Sequence, residues 1–131
     1  MKQLTCLVVG IVLGALAASA AGRVTDQDAV AVSPQYYTVR FENDRVRVLE
    51  YRLKPGEKEA THTHPPGVVY ILSDATVRAT RPDGTVLELK GKAGEVAFRE
   101  STTHAIENVG TQEARALAVD LKPCKPQATT P

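Results

Sequence analysis

All three histidines of this chain fall into one pattern: His62-Thr63-His64, and His104 forty positions after it. On an extended strand successive side chains alternate between faces, so His62 and His64 point the same way. A third imidazole from a separate strand completes a triangle of neutral nitrogen donors, the ligand type that zinc, copper, iron and nickel favour. Such a triangle holds a divalent transition metal (Fe, Zn, Cu, Ni or Mn) from one side and leaves the other side to water, oxygen or a substrate. A catalytic metal is held this way, whereas structural zinc sites close the fourth position with protein. Scattered histidines satisfied by ordinary hydrogen bonds are the plainer alternative. Context weighs against it: Gly56 opens a Gly-x5-His-x-His run, and Asn108 closes a His-x3-Asn run after His104.

These residues need strands to position them, and from Gln35 onward the chain reads as short strands and turns. Tyr36 to Phe41 is rich in β-formers and ends at Glu42-Asn43-Asp44. Arg45 to Leu53 alternates, with Arg47, Leu49, Tyr51 and Leu53 on one face, and Pro55-Gly56 ends it. Val68 to Leu72, Thr76 to Thr80, Thr85 to Leu89, Glu95 to Arg99, Thr103 to Val109 and Ala114 to Leu121 follow, with turns such as Pro82-Asp83-Gly84 between them. Eight or nine short strands without an amphipathic helical period predict an all-β antiparallel barrel or sandwich. A core of about ninety residues buries only about 60–65% of its unfolded surface. Pairing of two copies through an outer sheet, a homodimer, is therefore expected.

The ends read differently. Met1-Lys2, an apolar run from Leu4 to Ala17 and the small residues Ala18-Ser19-Ala20 make residues 1–21 look like a secretory signal peptide cut after Ala20 or Ala21. The run is short for a membrane span of about twenty residues. Cys6 lies too early for a lipoprotein cysteine, and no twin arginine is present, so the expected product is secreted or periplasmic and exported unfolded. Cleavage removes Lys2 and no acid, which leaves 15 basic against 15 acidic residues. That balance offers no broad attraction to nucleic acid or to an anionic membrane. Cleavage also removes Cys6, and the remaining Cys124 cannot form an internal disulfide. Residues 22–34 have few large apolar side chains and are expected to be a linker or loosely held arm. Residues 123–131, with three prolines, are expected to be a disordered tail with an exposed thiol.

The sequence Gly56-x5-His62-x-His64, a Tyr70-Ile71-Leu72 strand, then Gly94 opening a strand that leads to His104-x3-Asn108, resembles the two motifs of the cupin superfamily from about Val39 to Lys122. The resemblance implies a double-stranded β-helix, the cupin jelly-roll barrel, over residues 35–122, with a metal in its mouth and His62, His64 and His104 as ligands. The runs HTHPPGVVYILSD and THAIENVG are similar to compact single-domain cupins, some of which carry a label linking them to β-alanine degradation. Fold kinship does not transfer a substrate. The chain departs from the pattern twice. Cupins with four protein ligands have a glutamate three or four residues beyond the second histidine, where this chain has Gly67 and Val68. Asp74, the next carboxylate, stands where the family has a turn glycine and is not expected to ligate. The second motif lacks its usual proline and glycine, reading Glu100-Ser101-Thr102-Thr103, so the loop before His104 is expected to take another shape.

Three neutral ligands leave a divalent metal its full charge, which favours an anionic small molecule: a carboxylate, a thiol or a diketone-like enolate. Three-histidine cupins include thiol and diketone dioxygenases, so the resemblance implies a metal-dependent oxidoreductase of dioxygenase type. Metal acquired outside the cytoplasm favours copper or zinc, and zinc would support isomerase, lyase or hydrolase chemistry instead. A non-catalytic ligand-binding barrel is the remaining class, since no general acid or base is evident beside the histidines. Glu50, Glu57 and Glu59 read as solvated strand or turn residues, and Arg52 and Arg99 as surface arginines. Tyr70 reaches the cavity only in one of two registers, and Asn108 reads as a brace for the strand carrying His104.

Overall fold

Alternating apolar residues and closely spaced turns give nine strands in the computed structural model, which describes residues 27–124. They are β1 (Tyr37–Glu42), β2 (Val46–Leu53), β3 (His62–His64), β4 (Gly67–Ile71), β5 (Ala75–Thr80), β6 (Val86–Gly91), β7 (Val96–Arg99), β8 (Thr102–Asn108) and β9 (Ala114–Leu121). One sheet runs β1-β2-β9-β4-β7 and the other β3-β8-β5-β6, every pairing antiparallel. The all-β expectation holds, and the strand read as Ala114 to Leu121 is found with those bounds. The expected signal peptide, and the tail beyond Cys124, lie outside the described residues; Cys124 itself is exposed.

The inner face of the five-stranded sheet explains why the barrel is hollow. Along β9 the inward positions are Ala114, Ala116, Ala118 and Asp120, all buried. Their partners on β2 are Leu53, Tyr51, Leu49 and Arg47, and on β4 Ile71, Val69 and Gly67 face Ala116, Ala118 and Asp120. Methyl groups down the middle of a sheet cannot fill the space between two sheets. A cavity of about 970 Å³ results, walled by such residues as Val69, Ile71, Val77, Ala79 and Ile106. Leu53, Ala79, Ile106 and Ala114 form a packed cluster below it.

Residues 28–34 are not the loose arm expected. Asp28 caps a single helical turn, α1 (Ala29–Val32), by accepting from Val30 N at 2.9 Å and Ala31 N at 3.2 Å. The same carboxylate pairs with Arg47 at 2.6 Å, and Gln27 O accepts from Thr63 N at 2.7 Å, so the arm is stitched to β2 and β3. Ala29 is wholly buried against Tyr37, Leu49 and Ala118. Composition misled here because small residues bury well once a cap fixes their backbone.

Candidate metal centre

Two features of the second sheet bring the histidines together. His62 and His64 alternate inward on β3, and the β3–β8 register sets His62 directly opposite His104. On the other face Thr63 and Thr103 hydroxyls meet at 2.8 Å and hold that register. One ring nitrogen from each histidine lies within 4.8 Å of those of the other two. The three rings stand at 78–89° to one another, as imidazoles do around a common point. His62 and His64 are buried at 0% and 3% exposure.

Ring orientation follows from what each outer nitrogen faces. His62 Nδ1 lies 2.8 Å from the Ala60 carbonyl, which can only accept, so Nδ1 carries the proton. His64 Nδ1 faces the Asp120 carboxylate at 3.8 Å, too long for a hydrogen bond but again an acceptor. In a neutral ring both Nε2 atoms are then bare, and they are 3.0 Å apart. Protonation does not relieve this. Burial pushes the His64 imidazole down to about 2, with Arg99 and the neighbouring imidazoles adding to the effect. Burial and the His62 and Arg99 charges hold His104 down at about 4, and His62 is lowered mainly by burial. If both rings carry their proton on Nδ1, two lone pairs aim at each other in a buried site, and a cation satisfies them. The donor set therefore fits a transition metal.

The structure adds three residues that sequence reading assigned elsewhere or passed over. Glu59, read as solvated, is 2% exposed. Its backbone N donates to Ile106 O at 2.9 Å, because the segment after Gly56 (φ +79°) continues the ladder alongside β8. Its Oε2 accepts from the Tyr37 hydroxyl at 2.9 Å, and its Oε1 lies 3.7 Å from His62 Nε2. Burial raises this carboxyl to about 8, partly opposed by the Tyr37 and Tyr51 hydroxyls. Tyr37, on β1, brings its hydroxyl to 3.2 Å from His62 Nε2 and 3.4 Å from His64 Nε2. Asp120, 1% exposed, binds Arg99 at 2.5 Å and Arg47 at 3.1 Å. Arg99 is accordingly no surface arginine; its side chain is 16% exposed and also donates to Pro65 O.

Other sequence readings sort cleanly. Glu50, at 8% exposure, is less solvated than expected, with Arg40 and Arg52 bonded to its carboxylate. Arg52 stays on the surface at 52% side-chain exposure, and Glu57 caps its own turn by accepting from Lys54 N. Tyr70 points outward at 41% exposure, on the face opposite Val69 and Ile71. Asn108 braces as expected: its amide donates to Leu53 O and Gln112 O at 2.8 Å, and its Oδ1 accepts from Gly110 N. Asp74 accepts from Ala93 N in a turn, with no part in the histidine cluster.

Solved structures of the same shape include a cupin domain from Bordetella pertussis Tohama I, 26% identical, covering 66% of this chain and 92% of that one with a TM-score of 0.62. This chain has the cupin fold, a double-stranded β-helix. A protein with a double-stranded β-helix domain from Klebsiella pneumoniae matches at 24% identity, covering 66% of this chain and 70% of its own, with a TM-score of 0.53. The polyketide cyclase RemF from Streptomyces resistomycificus shares the fold at 22% identity, over 69% and 66% of the two chains, with a TM-score of 0.50. No family model matches the chain, and no curated protein matches it.

The position of the missing cupin glutamate has a physical explanation. Gly67 pairs with Asp120 on one side and Arg99 on the other, so Arg99 reaches Asp120 across it. A Cβ at residue 67 would lie 2.2 Å from Val119 O, a backbone atom that cannot move aside. Restoring the family residue by Gly67→Glu is expected to cost about 3 kcal/mol or more of stability and to leave metal affinity no higher. Urea unfolding and a metal titration on the same variant check both halves.

Proposed function

We propose that this protein is an exported metal-binding cupin that performs acid–base chemistry on an anionic small molecule with an apolar body. One observation carries the metal: the Nε2 atoms of His62 and His64 face each other 3.0 Å apart, with a ring nitrogen of His104 within 4.8 Å. His62, His64 and His104 would hold a divalent cation, which when bound polarises a substrate carboxylate or carbonyl oxygen. The chain's own groups do the rest. Arg99 puts a positive field on all three histidines and Arg81 adds to it at His104, which favours an anion at the site. The apolar walls hold the substrate body and exclude water, and about 970 Å³ suits a ligand well above acetate in size.

Glu59 tips the reading from passive binding towards catalysis. It lines the same cavity as His64 and His104, and a carboxyl raised to about 8 holds its proton at neutral pH. A general acid needs that property, and none was evident beside the histidines from sequence alone. Isomerase, lyase or hydrolase chemistry with zinc is the form this favours. The dioxygenase reading rests on a redox-active metal and is separated from it by metal identity. RemF, at 22% identity, shares the fold alone and does not decide between them.

Metal content measured by plasma mass spectrometry on untagged protein from the native export compartment tests this directly. The account expects near-stoichiometric zinc, a His62→Ala/His104→Ala double variant without metal, and an intact mass starting at residue 21 or 22. Iron would move the chemistry to oxygen-dependent oxidation, and metal-free wild-type protein would leave a ligand-binding barrel.

The outer face of the five-stranded sheet supports a further part of the proposal, that two copies pair. Register places Phe41, Val48, Val119, Val68 and Phe98 in one unbroken apolar row across all five strands. Phe98 is 60% exposed, and Val96 beside Tyr70 is 65% exposed. A two-fold axis through such a face sets apolar rows against each other and covers both. Sedimentation is expected to give a dimer for wild type and a monomer for Phe98→Asp; a wild-type monomer at tens of micromolar would contradict it.

A further inference from the structure

We infer that the Tyr37 oxygen, supplied from β1, is a fourth protein ligand of the metal. The inference rests on the three-histidine reading above and identifies a residue outside both histidine motifs. Two bonds of about 2.0–2.2 Å meeting at tetrahedral or right angles set donor atoms about 2.9–3.5 Å apart. The triangle formed by His62 Nε2, His64 Nε2 and Tyr37 Oη has edges of 3.0, 3.2 and 3.4 Å. Each edge falls within that range, so the hydroxyl stands where one vertex of the coordination shell would lie. The nearer Glu59 oxygen is 3.7 Å from His62 Nε2, and its other oxygen is taken up by the Tyr37 hydroxyl, so the carboxylate stands behind the phenol.

Burial and the neighbouring Glu59 carboxyl push the Tyr37 hydroxyl well up, so a phenolate there requires the cation. Three neutral imidazoles do nothing to offset a +2 ion, and one anionic oxygen halves the charge left in a buried site. The Tyr37 hydroxyl donates to Glu59 Oε2, which leaves its oxygen lone pairs turned towards the two imidazoles. Tyr37 is also held firmly: it is 7% exposed, its ring lies 5.0 Å from that of Tyr51, and it belongs to the buried cluster with Ala29, Leu49 and Ala118. The stitched arm thereby acquires a purpose, because α1 packs against the residue that completes the site. Tyr37, His64 and His104 all line the cavity, so a small molecule entering it would meet the metal.

Copper(II) is the probe, because a phenolate bound to it gives a visible charge-transfer band that imidazoles alone do not. Wild-type protein loaded with one equivalent of copper is expected to show that band, with tyrosinate ring modes in its resonance Raman spectrum. Tyr37→Phe should still bind copper, about tenfold or more weakly, without the band, whereas Tyr51→Phe should keep it. Stoichiometric copper bound by wild type with no band overturns the inference and leaves the three-histidine reading intact. A band that survives in Tyr37→Phe also overturns it. Wild type that binds no copper overturns both. Should the Tyr37→Phe chain fail to fold, tyrosinate Raman modes in wild type that persist in Tyr51→Phe support Tyr37, and their loss in Tyr51→Phe counts against it.

Discussion

Two imidazole Nε2 atoms held 3.0 Å apart, with His62 Nδ1 committed to the Ala60 carbonyl and His64 Nδ1 turned towards Asp120, form the constraint on which the site depends. In water such a pair would turn a ring or take up a proton. Neither escape is easy in this barrel: the rings are buried at 0% and 3% exposure, burial lowers the His62 imidazole, and it pushes that of His64 down to about 2. The arrangement is stable when something positive sits between the nitrogens. A ligand that binds only the folded form adds stability by mass action, about 2.7 kcal/mol at a hundred times its dissociation constant. Metal and fold thus support each other.

The arrangement is maintained by a buried charge cluster. Asp120 faces His64 while bonded to Arg99 and Arg47, and Arg47 continues to Asp28 at the cap of α1. Asp120 is the buried member, and stripping it of its arginines would leave an uncompensated buried charge at a cost of about 3–5 kcal/mol. Because Arg99 must cross a neighbouring strand to reach Asp120, that strand carries Gly67. The absent glutamate and the buried arginine are two aspects of one packing solution. The alanines of β9 complete it by keeping the space beside the histidines empty.

The histidine cluster was legible in the sequence because its signal is the alternation of one strand, and three imidazoles in one chain leave few other arrangements. The strands were legible for the same reason, and only their ends shifted by a residue or two. Glu59 was not, since it lies in a segment without alternation and its burial comes from pairing with β8, a long-range contact. Tyr37 carries no motif, and its role comes from β1 lying at the edge of the sheet that faces the histidines. Asp120 did leave a trace: a carboxylate in phase with Ala114, Ala116 and Ala118 marks a charge on a buried face. The arm was misread because capping by Asp28 and the fit of Ala29 are local geometry that composition does not encode.

Long-range proton–nitrogen NMR of the imidazole rings in metal-free protein at neutral pH tests the central claim most directly. The account predicts Nδ1–H tautomers for His62 and His64 with unprotonated Nε2, and zinc addition shifting a nitrogen resonance in all three rings at one equivalent. An Nε2–H on either ring, bonding to its neighbour, with a spectrum indifferent to zinc, would contradict it: the pocket would then be a satisfied hydrogen-bonded pair with no need of a cation.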